Sequence, residues 1–134
     1  MSMQFISKIE PNKKMIIKEI LKHNLNKIIK IIPFQKNPFP YFLNADLFIL
    51  SSKFEGLPNV LLEAQTLKKF IISSNCPTGP REILQNGKGG ILFTPKNFYE
   101  LSEKIIYFVT KLIIMKAKEV LEYIHHGIIL IHGN

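Results

Sequence analysis

Two glutamates eight residues apart, Glu55 and Glu63, bracket the stretch of this sequence best suited to chemistry. It runs Ser51-Ser52-Lys53-Phe54-Glu55-Gly56-Leu57-Pro58-Asn59-Val60-Leu61-Leu62-Glu63-Ala64. Pro58 to Leu67 reads as a helix, with Val60, Leu61, Ala64 and Leu67 as an apolar stripe and Asn59, Glu63 and Thr66 as a polar stripe beside it. At a rise of ~1.5 Å per residue the two carboxylates lie at most on the order of 12 Å apart. That is too far to share a proton or one metal ion, but it suits gripping the two ends of an elongated ligand. Between them is a helix start, whose free N–H groups and dipole favour an anion. Gly56 allows close approach to the backbone, and Pro58 surrenders an N–H that the first turn does not use. A diphosphate over Asn59 and Val60, with one hydroxylated ring near Glu55 and another near Glu63, fits this layout, because carboxylates accept paired hydroxyl donors. That is the shape of a nucleotide sugar. A helix flanked by glutamates is also a common structural arrangement, and the spacing alone does not separate the two.

The elements that must position this segment alternate along the chain. Short apolar runs at Met3 to Ile6, Ile28 to Ile32, Asp46 to Leu50, Phe70 to Ser73 and Ile91 to Thr94 read as strands. Helical patterns fall at Pro11 to Asn24, where Met15, Ile16, Ile20 and Leu21 recur at helical spacing, at Pro58 to Leu67, and as one turn at Pro80 to Leu84. Asn97 caps a further helix to about Thr110, with Glu100 placed for a capping box, and a last helix covers Leu112 to Tyr123. Strand–helix alternation with continuously apolar strands predicts an α/β, Rossmann-like parallel sheet with helices on both faces. In such sheets ligands bind outside the carboxyl ends of the strands. The loops at Ser51–Pro58 and Ser74–Pro80 occupy that position.

Composition narrows the classes. The 134 residues are 46% hydrophobic and 21% charged, which suits one folded domain. One cysteine, Cys76, excludes a disulfide scaffold and a cysteine-cluster zinc site, and is expected to be a small buried residue. Eighteen Lys+Arg against ten Asp+Glu give a net charge of +8, suited to anionic partners. There is no secretory leader pattern at the start and no apolar run of spanning length. The expectation is a cytoplasmic protein, with attachment at the inner face of the membrane left open. Lys13, Lys14, Lys18 and Lys22 make the first helix basic, which suits solvent or an anionic lipid surface. No interleaved aromatic–basic motif or helix-turn-helix pattern points to nucleic acid. His23 closes a helix, where its charge suits the dipole. Adjacent His125 and His126, with His132, suit surface placement better than a metal site.

Four blocks together resemble the group 1 (family 4) glycosyltransferases. They are Asn37-Pro38-Phe39-Pro40-Tyr41, Ala45-Asp46-Leu47-Phe48-Ile49-Leu50-Ser51-Ser52, Glu55 through Ala64, and Cys76-Pro77-Thr78-Gly79-Pro80-Arg81-Glu82-Ile83, in the family's order and spacing. The resemblance covers residues 15–110 and leaves 111–134 as a helical tail. It implies the GT-B architecture, two Rossmann-like domains about a cleft, with this chain matching the carboxy-terminal, donor-binding domain. It further implies transfer of a sugar from a nucleotide-diphosphate sugar to an acceptor hydroxyl, with retention of configuration and no metal or other cofactor, in cell-surface glycan or lipid-linked saccharide synthesis. Glu55, the catalytic candidate, would contact the donor sugar's hydroxyls and Glu63 those of the ribose. Gly56, Leu57, Pro58, Asn59 and Val60 complete the donor-binding set, with the backbone at Asn59 and Val60 holding the diphosphate. Lys53 faces the diphosphate or solvent. Arg81 touches a phosphate or the acceptor, or pairs with a carboxylate.

The departures from the family are specific. The resemblance begins after the family's acceptor-binding domain, so the family's histidine near the reacting centre and its phosphate-clamping Arg and Lys are expected to lie outside these residues. Ser7-Lys8-Ile9 stands where the family has a glycine-rich turn, Pro33 replaces a usual glycine, and 124–134 matches no family block. A truncated or frame-disrupted gene is expected, with an amino-terminal domain or an upstream-encoded polypeptide as the natural partner. Two other readings stay open: a binding or regulatory remnant without turnover, and a basic module for membrane or nucleic acid.

Overall fold

The fold is known from a computed structural model that describes residues 3–7, 13–33, 35–52 and 58–124. The chain forms two compact units, Met1–Leu43 and Asn44–Asn134.

In the first unit, β1 (Met3–Ser7) and β2 (Ile29–Pro33) pair in parallel, Met3 opposite Ile29 and Ser7 opposite Pro33. A parallel pair needs a crossover, and α1 (Lys13–Lys22) supplies it. α1 stops because Asn24 takes a left-handed φ of 56°. The Leu25 N–H then reaches back to the Ile20 carbonyl at 2.9 Å and the Asn24 N–H to that of Leu21 at 3.1 Å, a Schellman closure with asparagine in the place glycine usually takes. His23, just past the helix end, lies 3.5 Å from Glu19. The apolar set expected for α1 is only partly inside. Ile16 and Ile20 are half-buried, whereas Met15 and Leu21 are exposed. Apolar residues span more than one side of this helix, and only one stripe of them is sheltered. The short α2 (Phe39–Leu43) is started by the Asn37 Oδ1, which accepts the Phe39 N–H at 3.2 Å, and it buries Phe42.

The second unit is a three-stranded parallel sheet in the order β3 (Leu47–Leu50), β4 (Phe70–Ser74), β5 (Ile91–Phe93). β4 is central and its residues 71–74 are buried. Between strands run α3 (Asn59–Thr66), α4 (Pro80–Ile83) and a 3-10 turn at Gln85–Gly87. The core joins Leu61 and Ala64 of α3 to Ile71 of β4 and Leu84, with Phe48, Leu50, Ile83 and Leu92 packed against it. Val60 and Leu67, read as the rest of the α3 apolar stripe, are half-buried. Cys76 is buried and free. Gly90 is required by close approach, since a Cβ there would sit 2.9 Å from the Ile71 carbonyl oxygen.

After β5 the chain enters α5 (Phe98–Ile124), 27 residues without a break. Two helices were expected, ending and restarting about Thr110 and Leu112. No glycine or proline lies between them, so nothing interrupts the hydrogen-bond ladder. Asn97 caps α5 as expected, its Oδ1 accepting the Glu100 N–H at 3.1 Å. The Glu100 carboxylate does not complete the box on Asn97. It accepts the Thr94 N–H at 2.9 Å, tying the end of β5 to the first turn of α5.

Candidate functional site

All three strands of the second unit run parallel, with Leu50 opposite Ser73 and Ser74 opposite Phe93. Their carboxyl ends therefore share one edge of the sheet, where ligands of such folds collect. The segments leaving that edge are the one that starts α3, the loop 75–79 and the turn from Thr94 into α5. The fold thus brings the beginning of α3 and the loop before Arg81 to one edge, as the strand pattern predicts.

Among the described residues no side chain caps the start of α3. Its N-cap residue is Pro58, extended at φ −77° and ψ 91°, with no side-chain hydrogen bond to the first turn. Helix starts ordinarily carry Ser, Thr, Asp or Asn at this position, whose oxygen satisfies a free N–H. Proline has no such oxygen. Pro58 was expected inside the first turn and instead stands just before it. It is buried, and its carbonyl accepts the Leu61 N–H at 2.9 Å. Asn59 is exposed and Val60 half-buried. One turn further on, Glu63 is half-buried, and its Oε2 is shut away from solvent with no hydrogen-bond partner among the described residues. A carboxylate oxygen in that position is an acceptor awaiting a donor, since leaving a buried acceptor unsatisfied costs about 1–3 kcal/mol. Lys53, Glu55, Gly56 and Leu57 lie outside the described residues.

On the neighbouring segment, Arg81 is exposed and its Nε donates to the Asn75 Oδ1 at 3.2 Å. A carboxylate partner was one expectation, and the residue holding it is an amide instead. That bond spans the loop from the end of β4 to α4 and leaves the rest of the guanidinium fork facing outward. α4 opens on Gly79, buried and at φ 89°, a left-handed value that strains residues with a Cβ. α3 and α4 are joined by Gln65, whose Nε2 donates to the Ile83 carbonyl at 3.1 Å. Sequence reading placed Ser74 only as the start of the loop Ser74–Pro80, without a role of its own. The Ser74 Oγ, at the carboxyl end of central β4, is buried without a hydrogen-bond partner among the described residues. The signal for it was a polar pair, Ser73-Ser74, ending an apolar strand run.

Among the described residues no three His, Cys, Asp or Glu side chains gather to hold a metal ion. An open depression of 390 Å³ is lined in part by Lys69, Phe70, Gly89 and Ile91. It lies at the amino ends of β4 and β5, so it is not part of the edge described above. His125, His126 and His132 lie outside the described residues.

A parallel α/β sheet with helices between its strands defines a Rossmann-like fold. Residues 9–123 match the family model of group 1 glycosyl transferases, and the chain belongs to that family. An uncharacterized glycosyltransferase of Methanocaldococcus jannaschii is 41% identical over 85 residues, 55% of this chain and 21% of that protein. A Campylobacter jejuni enzyme, an N-acetylgalactosamine-N,N'-diacetylbacillosaminyl-diphospho-undecaprenol 4-alpha-N-acetylgalactosaminyltransferase, is 29% identical over 82 residues, 61% of this chain and 22% of its own length. The structure of Anabaena HepE in complex with UDP superposes with a TM-score of 0.70 at 21% identity, covering 83% of this chain and 32% of that one. The shared fold is that of the GT-B glycosyltransferases. The chain spans about a fifth of the length of these curated relatives. Among the described residues no helix is long and apolar enough to cross a membrane.

Proposed function

We propose that this chain is the carboxy-terminal, donor-binding half of a glycosyltransferase that moves a sugar from a nucleotide-diphosphate sugar to an acceptor hydroxyl. The observation that carries the reading is the Glu63 Oε2, shielded and, among the described residues, unpaired on the helix whose start has no side-chain cap there. A diphosphate supplies the negative charge that the free amides of Asn59 and Val60 and the helix dipole attract. The ribose hydroxyls supply the donors that Glu63 lacks. Glu55, eight residues earlier in sequence, takes the hydroxyls of the sugar itself. Arg81, with most of its guanidinium free of the Asn75 contact, approaches a phosphate or the acceptor. Positive groups and helix amides then stabilise the charge that develops on the departing nucleoside diphosphate, with no metal. The UDP in the HepE complex makes a uracil donor the first to test. The Campylobacter enzyme's name supports an acceptor in lipid-linked or cell-surface glycan synthesis, and the proposal sets this work on the cytoplasmic side.

Groups on both sides of a cleft are needed to orient an acceptor against the anomeric carbon, and the residues of the proposed donor site belong to one side. The expected behaviour is weak donor recognition with negligible transfer until an amino-terminal domain or separately encoded partner completes the cleft. Calorimetry with UDP-sugars and GDP-sugars at millimolar concentration, in EDTA, tests the first part. Heat with one base is expected, and none with any donor would overturn the assignment. Sugar transfer by the purified chain alone would overturn the second part.

A further inference from the structure

The longest helix is apolar on two sides. Leu101, Ile105, Phe108 and Leu112, at i, i+4, i+7 and i+11, form its half-buried inner stripe, and the Phe108 ring rests 4.6 Å from that of Phe70 on the central strand. At about 100° per residue, Tyr99, Ile106 and Ile113, each seven apart, fall on the far side, with Tyr107 and Ile114 in the adjoining row. These five are 76%, 64%, 62%, 51% and 49% exposed. From Tyr99 to Ile114 the row is about 22 Å long. Glu103 and Thr110 fall between the two rows, so the outer face is amphipathic, with exposed apolar rows that mark something that docks there.

Charge selects the occupant. Lys104 and Lys111 fall along one flank of the strip and Lys116 along the other, and the Lys111 Nζ sits 4.6 Å above the Tyr107 ring. Glu103 is the acid within the strip, near its amino end. The second acid of this stretch, Glu100, is occupied by the Thr94 N–H. The whole chain carries +8. A second copy of the chain would set these lysines against their like. An anionic lipid surface instead accepts the isoleucines below its headgroups, the tyrosine rings at headgroup level and the lysines against phosphate.

We propose that the outer face of α5 seats this protein on an anionic phospholipid surface. The helix lies along the interface. The proposal is independent of donor binding, which calorimetry reads without lipid, so either can fail alone.

The test is co-sedimentation of the full chain with vesicles of phosphatidylcholine alone or mixed with phosphatidylglycerol. Retention by the mixed vesicles only is expected, weakening as salt is raised. The double variant Ile106→Asp/Ile113→Asp, with helicity checked by circular dichroism, should lose at least about ten-fold in partition. Lys111→Ala/Lys116→Ala should lose about ten-fold on anionic vesicles. Because the chain has no tryptophan, Tyr99→Trp adds a single reporter. Its fluorescence should be quenched by brominated lipid in anionic vesicles and unchanged in solution. Absence of retention, equal retention by neutral vesicles, or retention untouched by both double variants would overturn the proposal. So would a soluble dimer that Ile106→Asp/Ile113→Asp dissociates, since the face would then belong to a second copy.

Discussion

Replacing Glu63 by methionine should push stability and binding in opposite directions. In the free protein the Glu63 Oε2 is buried without a partner among the described residues. An unsatisfied buried acceptor costs about 1–3 kcal/mol, and the low end applies because the residue as a whole is only half-buried. Methionine has a comparable length, a similar helix propensity and no such acceptor. Glu63→Met is therefore expected to stabilise the ligand-free chain by about 1 kcal/mol. For a chain of this size that raises the melting temperature by about 3 °C. On the proposed reading the same substitution removes charge-assisted hydrogen bonds to the ribose, worth about 1.5–3 kcal/mol, and weakens UDP binding by about ten- to a hundred-fold. Differential scanning calorimetry without ligand and titration calorimetry with UDP read the two quantities separately. A Glu63→Met chain that melts lower and binds UDP undiminished would refute the reasoning. The carboxylate would then be serving the fold.

Three further outcomes follow from the packing. Leu61→Ala empties the centre of the cluster formed with Ile71 and Leu84, where Leu61 is fully buried. It should cost about 2–5 kcal/mol in urea denaturation, and a loss below that range would mean the cluster closes over the cavity. Gly90→Ala places a methyl 2.9 Å from the Ile71 carbonyl oxygen, a backbone atom that cannot swing aside. Thermal melting should show a loss of about 1–3 kcal/mol. Glu100 is held below its ordinary carboxyl value of 4.5, chiefly by the hydrogen bond from the Thr94 backbone N–H and also by nearby Lys104. A group with a depressed folded pKa contributes stability that is present above the ordinary value and lost as pH falls through the depressed one. Denaturation curves from neutral pH downward should therefore show wild type and Glu100→Gln converging as acidity increases below pH 4.5. Parallel curves would rule out that role for the carboxylate.

Much of this arrangement could be read from the chain without coordinates. The strands at Leu47–Leu50, Phe70–Ser74 and Ile91–Phe93 stand out because each is a short run of apolar, largely β-branched or aromatic residues ended by polar or turn-forming ones. α3 was visible from the period of Leu61, Ala64 and their neighbours, and the placement of its start at the carboxyl edge follows from parallel strand order alone. Periodicity was less informative where apolar residues exceed one stripe. In α1 it could not tell that Ile16 and Ile20 turn inward while Met15 and Leu21 stay outside. In α5 two helices were expected, to about Thr110 and from Leu112, yet a helix does not break there without glycine or proline.

The sequence by itself determined the family, the alternation of strands and helices, and which residue types stand at the start of α3, because these are local matters of pattern and backbone chemistry. Only the tertiary structure decided that one oxygen of Glu63 is walled off with no donor among the described residues, that Arg81 is held by Asn75, that Glu100 braces Thr94, and that α5 shows apolar residues on its outer side. Each of these depends on what neighbouring elements bring to the same place. Burial and hydrogen-bond satisfaction are properties of the packed surroundings, which no single segment specifies.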